Sequence, residues 1–353
     1  VAPLTNSGQR DIVANTIARF ADGQPNTVAS SIPGVKPTLA EATGSPGIAQ
    51  LQRAVTDSDP AIAGKFVDQA SQNNASRINF LRTLAGTPED VASAKAWRDQ
   101  VAGGKYGKAF DDDRSQQVAR QSNADAQLAD GKNNANSQYW KDDAAKALSD
   151  AQKAADSTLA PSPKMQELGQ RPVIQQAAKQ AKIIAANQGI DIGDPMTSLK
   201  GQHYIKMALD DQLNTAPQMG IGKTEQSAIA SAKKEFVTEL ERQNPAYKDA
   251  RDSFRTMSAP ANRMEIAQGL VDKVTKNPVD VDTLGNPNLR PDEFGRAVGS
   301  LDSIARKVTG QKVASAADYL NPQQSDGIKS LMEDLSRVKQ AQNVGRSAGS
   351  NTV

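Results

Sequence analysis

Along most of this chain apolar side chains recur every three or four residues, the period of one helix face, and the pattern breaks where proline and glycine gather. Ile12, Val13, Ile17 and Phe20 predict a short first helix, stopped by Asp22, Gly23, Gln24, Pro25 and Asn26. From Ser31 to Pro46 the residues Pro33, Gly34, Pro37, Gly44 and Pro46 predict an extended or flexible linker, the best domain boundary in the chain. After Ile48, Leu51 and Val55, Asp59 followed by Pro60 reads as an N-cap with proline at the first helical position, opening a helix that carries Phe66, Ile78 and Phe80. Thr87, Pro88, Glu89 and Asp90 repeat that start signal ahead of Val91, Ala94, Trp97 and Val101.

Between Asp111 and Ala160 large apolar residues thin out to Val118, Leu128, Tyr139, Trp140, Leu148 and Leu159. Ala, Gln and Lys favour a long exposed helix there, while the many Asn and Asp residues leave disorder in the free protein as a rival. The C-terminal half is better patterned. Val173, Ala177, Ala181 and Ile184 share a face closed by Gly189, Pro195 opens a helix with Ile205, Ala208, Leu209 and Leu213, and Ile229, Ala232, Phe236 and Leu240 follow Thr224. Tyr247, Ala250, Phe254 and Met257 recur at three, four and three residues, and Met264, Ala267, Val271 and Val274 continue beyond Pro260. Past a Pro- and Gly-bearing stretch at 277–288, where 279–281 suits a brief extended piece, come the two cleanest seams. These are Phe294, Val298, Leu301, Ile304 and Val308, ending at Gly310, and Ile328, Leu331, Leu335 and Val338 after Asn321 and Pro322. The expected fold is all-α, an elongated multi-helix array or bundle with long polar helices and Pro/Gly-rich linkers. Its expected segments are 1–46 (short helix and linker), 47–160 (helical, with the polar long helix), 161–276 (a helical domain) and 277–353 (a helical pair and flexible tail).

Composition sharpens this picture. In a chain of 353 residues, 37% are hydrophobic and only 4% aromatic, so cores must be thin and built from Ala, Leu, Ile and Val between closely spaced helices. Lys and Arg number 42 against 40 Asp and Glu, a net charge of +2 that lacks the basic excess advertising nucleic-acid binding. Cysteine is absent, which excludes disulfides and thiolate chemistry. No run is apolar for the roughly 18–20 residues that a membrane span needs, so the chain is expected to be made as a soluble protein.

Candidate chemistry is sparse. His203 is the sole histidine, so no His-based metal site or two-histidine proton shuttle is available, and its expected role is structural. Gly220, Ile221, Gly222, Lys223 and Thr224 resemble the end of a phosphate-binding loop, but the required first glycine is Pro217 and the preceding segment reads as helix, so a turn capped by Thr224 explains the run better. Asp210 with Asp211, and Asp111 to Asp113, read as solvated helix positions: adjacent residues diverge by about 100° around a helix. The basic patches are interrupted. Lys233 and Lys234 are followed by Glu235, and Arg251 and Arg255 alternate with Asp249 and Asp252, whereas a phosphate-tracking surface needs cations on one face without interleaved acids. No catalytic, cofactor-binding or metal-binding residue is therefore expected, and no cofactor or small-molecule substrate. The residues expected to matter are the packing or oligomer seams Tyr247, Phe254, Met257, Phe294, Val298, Leu301, Ile328, Leu331 and Leu335.

One segment carries a likeness. Met165, Leu168, Arg171, Pro172 and Val173, the alanine-rich helix ending at Gly189, Leu209, Asp210 and Asp211, and the run from Asn244 to Arg251 resemble the internal virion, or DNA-ejection, proteins of short-tailed bacteriophages. The likeness covers a quarter to a third of the chain and includes no catalytic motif. It implies storage in the capsid, ejection with the genome, and assembly with copies of itself into a conduit across the host cell envelope. The implied partners are other head, portal or ejection proteins, with transient contact with genomic DNA and the envelope. Two other readings stay open: a portal- or coat-bound scaffolding protein that is not ejected, and a fragment of a peptidoglycan hydrolase.

Overall fold

The computed structural model describes residues 6–20, 26–138, 141–215, 220–276, 278, 280–310 and 314–343. Within them the fold is all-α. The helices are α1 (Asn6–Phe20), α2 (Leu39–Thr43), α3 (Pro46–Ser58), α4 (Pro60–Ala85), α5 (Pro88–Ser137), α6 (Lys141–Leu159), α7 (Pro163–Gly169), α8 (Pro172–Asn187), α9 (Leu199–Thr215), α10 (Lys223–Gln243), α11 (Pro245–Thr275), α12 (Pro291–Gly299), α13 (Leu301–Thr309) and α14 (Pro322–Asn343), with a 3₁₀ turn at Ala316–Asp318. Among the described residues the only β pairing is an isolated antiparallel bridge between Val281 and Pro287. The expected helix stop at 22–25, the side chain of Ile12, Tyr139, Trp140, Leu159's side chain, Pro217, Val279 and the tail at 349–353 lie outside what is described.

Local signals account for the helix ends. Asp59 accepts from the N–H groups of Ala61 and Ile62, Thr87 and Asp90 cap each other reciprocally, and Asn321 accepts from Gln324 at 2.8 Å. Gly189 and Gly310 take left-handed φ values of 71° and 68° just past α8 and α13. Two expected starts are shifted. Gly222, not Thr224, is the N-cap of α10, and the helix after Pro195 begins only at Leu199, past a turn in which the Thr197 N–H donates to the Asp194 carbonyl. Pro260 lies inside α11, where its missing N–H removes one rung without ending the helix.

The chain forms two compact units, Val1–Lys95 with Ser258–Val353, and Ala96–Met257. These do not follow the linear segments ending at 46, 160 and 276, because apolar faces distant in sequence pair with one another. In the first unit Ile32, Val35, Leu81, Ile266, Leu270, Phe294, Leu301, Leu331 and Leu335 share one core. A buried ion pair stitches it: Arg77 Nε and Ser30 Oγ each donate to the Asp334 carboxylate at 2.6 Å.

The stretch from Ser31 to Pro46 is docked, carries α2 and lies inside the first unit, which corrects its reading as an extended or flexible linker at a domain boundary. Ile32 and Val35 are buried, Asn73 of α4 bonds both the N–H and the carbonyl of Lys36 at 2.8 Å, and Thr38 with Glu41 forms a capping box for α2. Its prolines and glycines shape a fixed path; Gly34, at φ 81°, occupies backbone space that side chains resist.

The second unit has its own core, in which Met165, Leu168, Ile174, Ile205, Leu209, Phe236, Leu240 and Tyr247 are buried. The polar stretch after Asp111 forms the far end of α5 and then α6, which run antiparallel. Gln127 faces Thr158, and Gly131 packs so tightly on Ala151 that a Cβ at 131 would lie 2.1 Å from the Ala151 Cβ. Ala124, Ala135 and Ala155 are buried there, so backbone proximity replaces bulky side chains.

Candidate functional site

The nine seam residues do not share one environment. Tyr247, Phe294, Leu301, Ile328, Leu331 and Leu335 are buried, whereas Met257 and Val298 are only partly covered. Phe254 departs from the expectation of a packed seam: the residue is 39% exposed, and its ring lies under the Arg98 guanidinium, 4.5 Å from the ring centroid. The spacing from Tyr247 to Met257 is helical, yet Phe254 falls on the rim of the buried stripe and finds a cation instead of a core.

Tyr247 does more than fill space. Its hydroxyl lies 2.9 Å from His203 Nδ1, and Tyr106 and Phe110 of α5 close around the imidazole with ring centroids 4.9 and 5.5 Å away. Tyr106 also meets Tyr247 edge-on at 5.5 Å. One polar contact within an aromatic box thus ties α5, α9 and α11 together. Burial pushes His203 down from 6.5 to about 4, with the positive Lys206 and Arg251 nearby acting the same way. Burial likewise pushes Tyr106 up to about 12 and Tyr247 upward, so at neutral pH the imidazole and both phenols are uncharged.

The chain matches no protein-family model, no curated protein and no solved structure.

Ion pairs lie near the aromatic box. Burial acts to raise Asp210, but Lys206, at 2.6 Å, and Lys233 outweigh it and hold the carboxyl below its ordinary range. Arg251 is paired with Glu241. On the opposite side of α10, Glu239 is held down at about 2, chiefly by Arg242 and further by Ser162 and Gln243. Each carboxylate is matched by donors, which fixes helix register rather than leaving a group poised to exchange protons. Among the described residues no cluster of three or more His, Asp or Glu side chains has a metal-binding arrangement, and no helix is long and apolar enough to cross a membrane.

Gly220 to Thr224 does not form a phosphate loop. It follows helix α9, not a strand, and Gly222 caps α10 through its backbone alone. Sequence reasoning missed the aromatic box because Tyr106 and Phe110 lie about a hundred residues before His203; the signal was their four-residue spacing, which puts two rings on one face of α5.

Proposed function

We propose that this chain is a non-enzymatic internal virion protein of a short-tailed bacteriophage, ejected with the genome and assembling with copies of itself into a conduit for DNA across the host envelope. The observation that carries this reading is the convergence of the residues behind the family likeness. Met165, Leu168, Leu209, Tyr247 and Ala250, scattered over more than eighty positions, are all fully buried in the unit Ala96–Met257. These residues of the likeness line one packed core, which supports reading them together as parts of one module. Large apolar side chains lie outward on the polar helices, with Trp97 and Val118 on α5 58% and 64% exposed and Leu148 on α6 45% exposed, and are available to contact another copy. The absence of cysteine suits passage through an oxidising periplasm without cross-linking.

The deciding experiment is quantitative mass spectrometry of intact particles beside particles that have released their DNA. The proposal expects the chain in the first and its depletion from the second. Equal amounts in both would make it a head or tail structural protein, and absence from both would remove the virion reading. Glycan cleavage by the purified chain in a zymogram would overturn the non-enzymatic assignment.

A further inference from the structure

Of the acids that interrupt the basic residues in the sequence, Asp252 stays among them in space, while Glu235 and Asp249 pair elsewhere. Glu235 is drawn to Arg171 at 2.7 Å and Asp249 to Lys105 at 2.9 Å, and neither lines the concavity formed by α10 and α11. What remains between α10 and α11, two consecutive helices joined at Asn244, is a concavity of about 520 Å³. Lys233 and Lys234 enter it from α10, and Lys248, Arg251 and Arg255 from α11. Only Glu241 and Asp252 bring negative charge to its lining. Five cations thus face two carboxylates in the lining, and even with Asp210, which pairs with Lys233 from outside it, the cations stay in excess.

The pairing within the concavity is incomplete. Asp252 serves both Lys248, at 2.6 Å, and Arg255, at 3.0 Å, so one carboxylate is shared by two cations. Lys233 turns inward to Asp210, while Lys234 stands exposed beside the Thr238 hydroxyl. A dense row of ammonium and guanidinium groups with hydroxyl support is the chemistry that binds phosphate. None of the lining side chains is aromatic, so no ring is available for a base to stack on.

We propose that this concavity binds phosphate groups and takes the phosphodiester backbone of a nucleic acid without reading its bases. The inference rests on the charges of α10 and α11 alone and does not depend on the virion reading.

The test is fluorescence anisotropy of the full chain with mixed-sequence single-stranded DNA, titrated over a range of salt concentrations, with inorganic triphosphate as competitor. Two variants carry the same change of charge: Lys234→Gln with Arg255→Gln in the concavity, and Lys179→Gln with Lys182→Gln on the exposed side of α8. All four side chains are exposed, so folding should be retained, and circular dichroism checks that it is. Neutralising the concavity pair should weaken DNA binding about tenfold at moderate salt, and should reduce the slope of log affinity against log salt by about 1.4, or ~0.7 per lost phosphate contact. Triphosphate should displace the DNA, and the α8 pair should leave the slope unchanged. The proposal is overturned if the wild-type chain does not bind DNA, if the two variants lose affinity equally, or if the concavity variant keeps the full slope. Binding of triphosphate with none of DNA would overturn the backbone assignment and leave a site for a small phosphorylated ligand.

Discussion

Asn74, a polar residue in the middle of a helix, holds the turn at 280–289 against α4. Its amide nitrogen donates to Asp282 at 2.7 Å and to the Pro287 carbonyl at 2.9 Å, while its oxygen accepts from the Leu289 N–H at 2.9 Å. Replacing it with alanine takes the acceptor from the buried Leu289 N–H and the donor from the Pro287 carbonyl, and Asn74→Ala should cost about 2–4 kcal/mol in urea unfolding. An unchanged midpoint would show that the turn is held by something else. His203 governs a different property. Its folded value of about 4 lies below the ordinary 6.5, so the unfolded chain takes up the proton more readily. The stabilisation is therefore complete above pH 6.5 and is lost as pH falls from 6.5 toward 4, at up to ~1.4 kcal/mol per pH unit. Glu239, held near 2, adds acid sensitivity only below the ordinary carboxylate range, so the upper window belongs to the imidazole. Melting of wild type and His203→Gln across pH 4–7 should show a slope in the first that flattens in the second; parallel curves would remove the buried histidine as its cause.

At the scale of elements, the helices most legible in the sequence are those whose apolar stripe is broad. Phe294, Leu301, Leu331 and Leu335 are all buried, α13 stops at Gly310 and α14 starts after Asn321 as expected, but the first helix of the expected pair breaks at Ser300 into α12 and α13. Leu335→Asp should accordingly destabilise its unit by more than about 4 kcal/mol, through an unpaired buried charge. Unaltered thermal melting would mean that α14 does not close the core. What the sequence hid is polar contact at long range. Ser71, Asn73, Asn74 and Arg77 resemble a solvated face of α4, yet all four are buried, because their partners Thr283, Lys36, Asp282 and Asp334 lie between 37 and 257 residues away. The cationic concavity was hidden for the same reason: nothing near Glu235 or Asp249 in sequence reveals that Arg171 and Lys105 draw them aside. The α5–α6 pair was half visible, since alanine content predicted helix but not close approach. There Gly131→Val should separate the two helices and increase amide exchange throughout α6 while leaving the core around Ile205 and Phe236 protected. Equal exchange in both proteins would mean that this contact does not hold α6.

For the whole molecule, the decisive fact is that Ala96–Met257 is continuous in sequence whereas the other unit is assembled from both flanks of it. A fragment spanning 96–257 should retain helical circular dichroism and a cooperative melt, and a chain ending before Pro291 should lose the unit that contains Ile32 and Leu81. The opposite pattern of stability would place the cores wrongly. The flanking arrangement also bears on synthesis. At ~5–20 residues per second, the roughly 250 residues separating Lys95 from the end of α14 take on the order of 12–50 s to emerge. Throughout that interval Ile32, Val35 and Leu81 lack Leu331 and Leu335, and the ribosome-tethered chain offers them to chaperones or to neighbouring nascent chains, while the segment translated in between is already able to close.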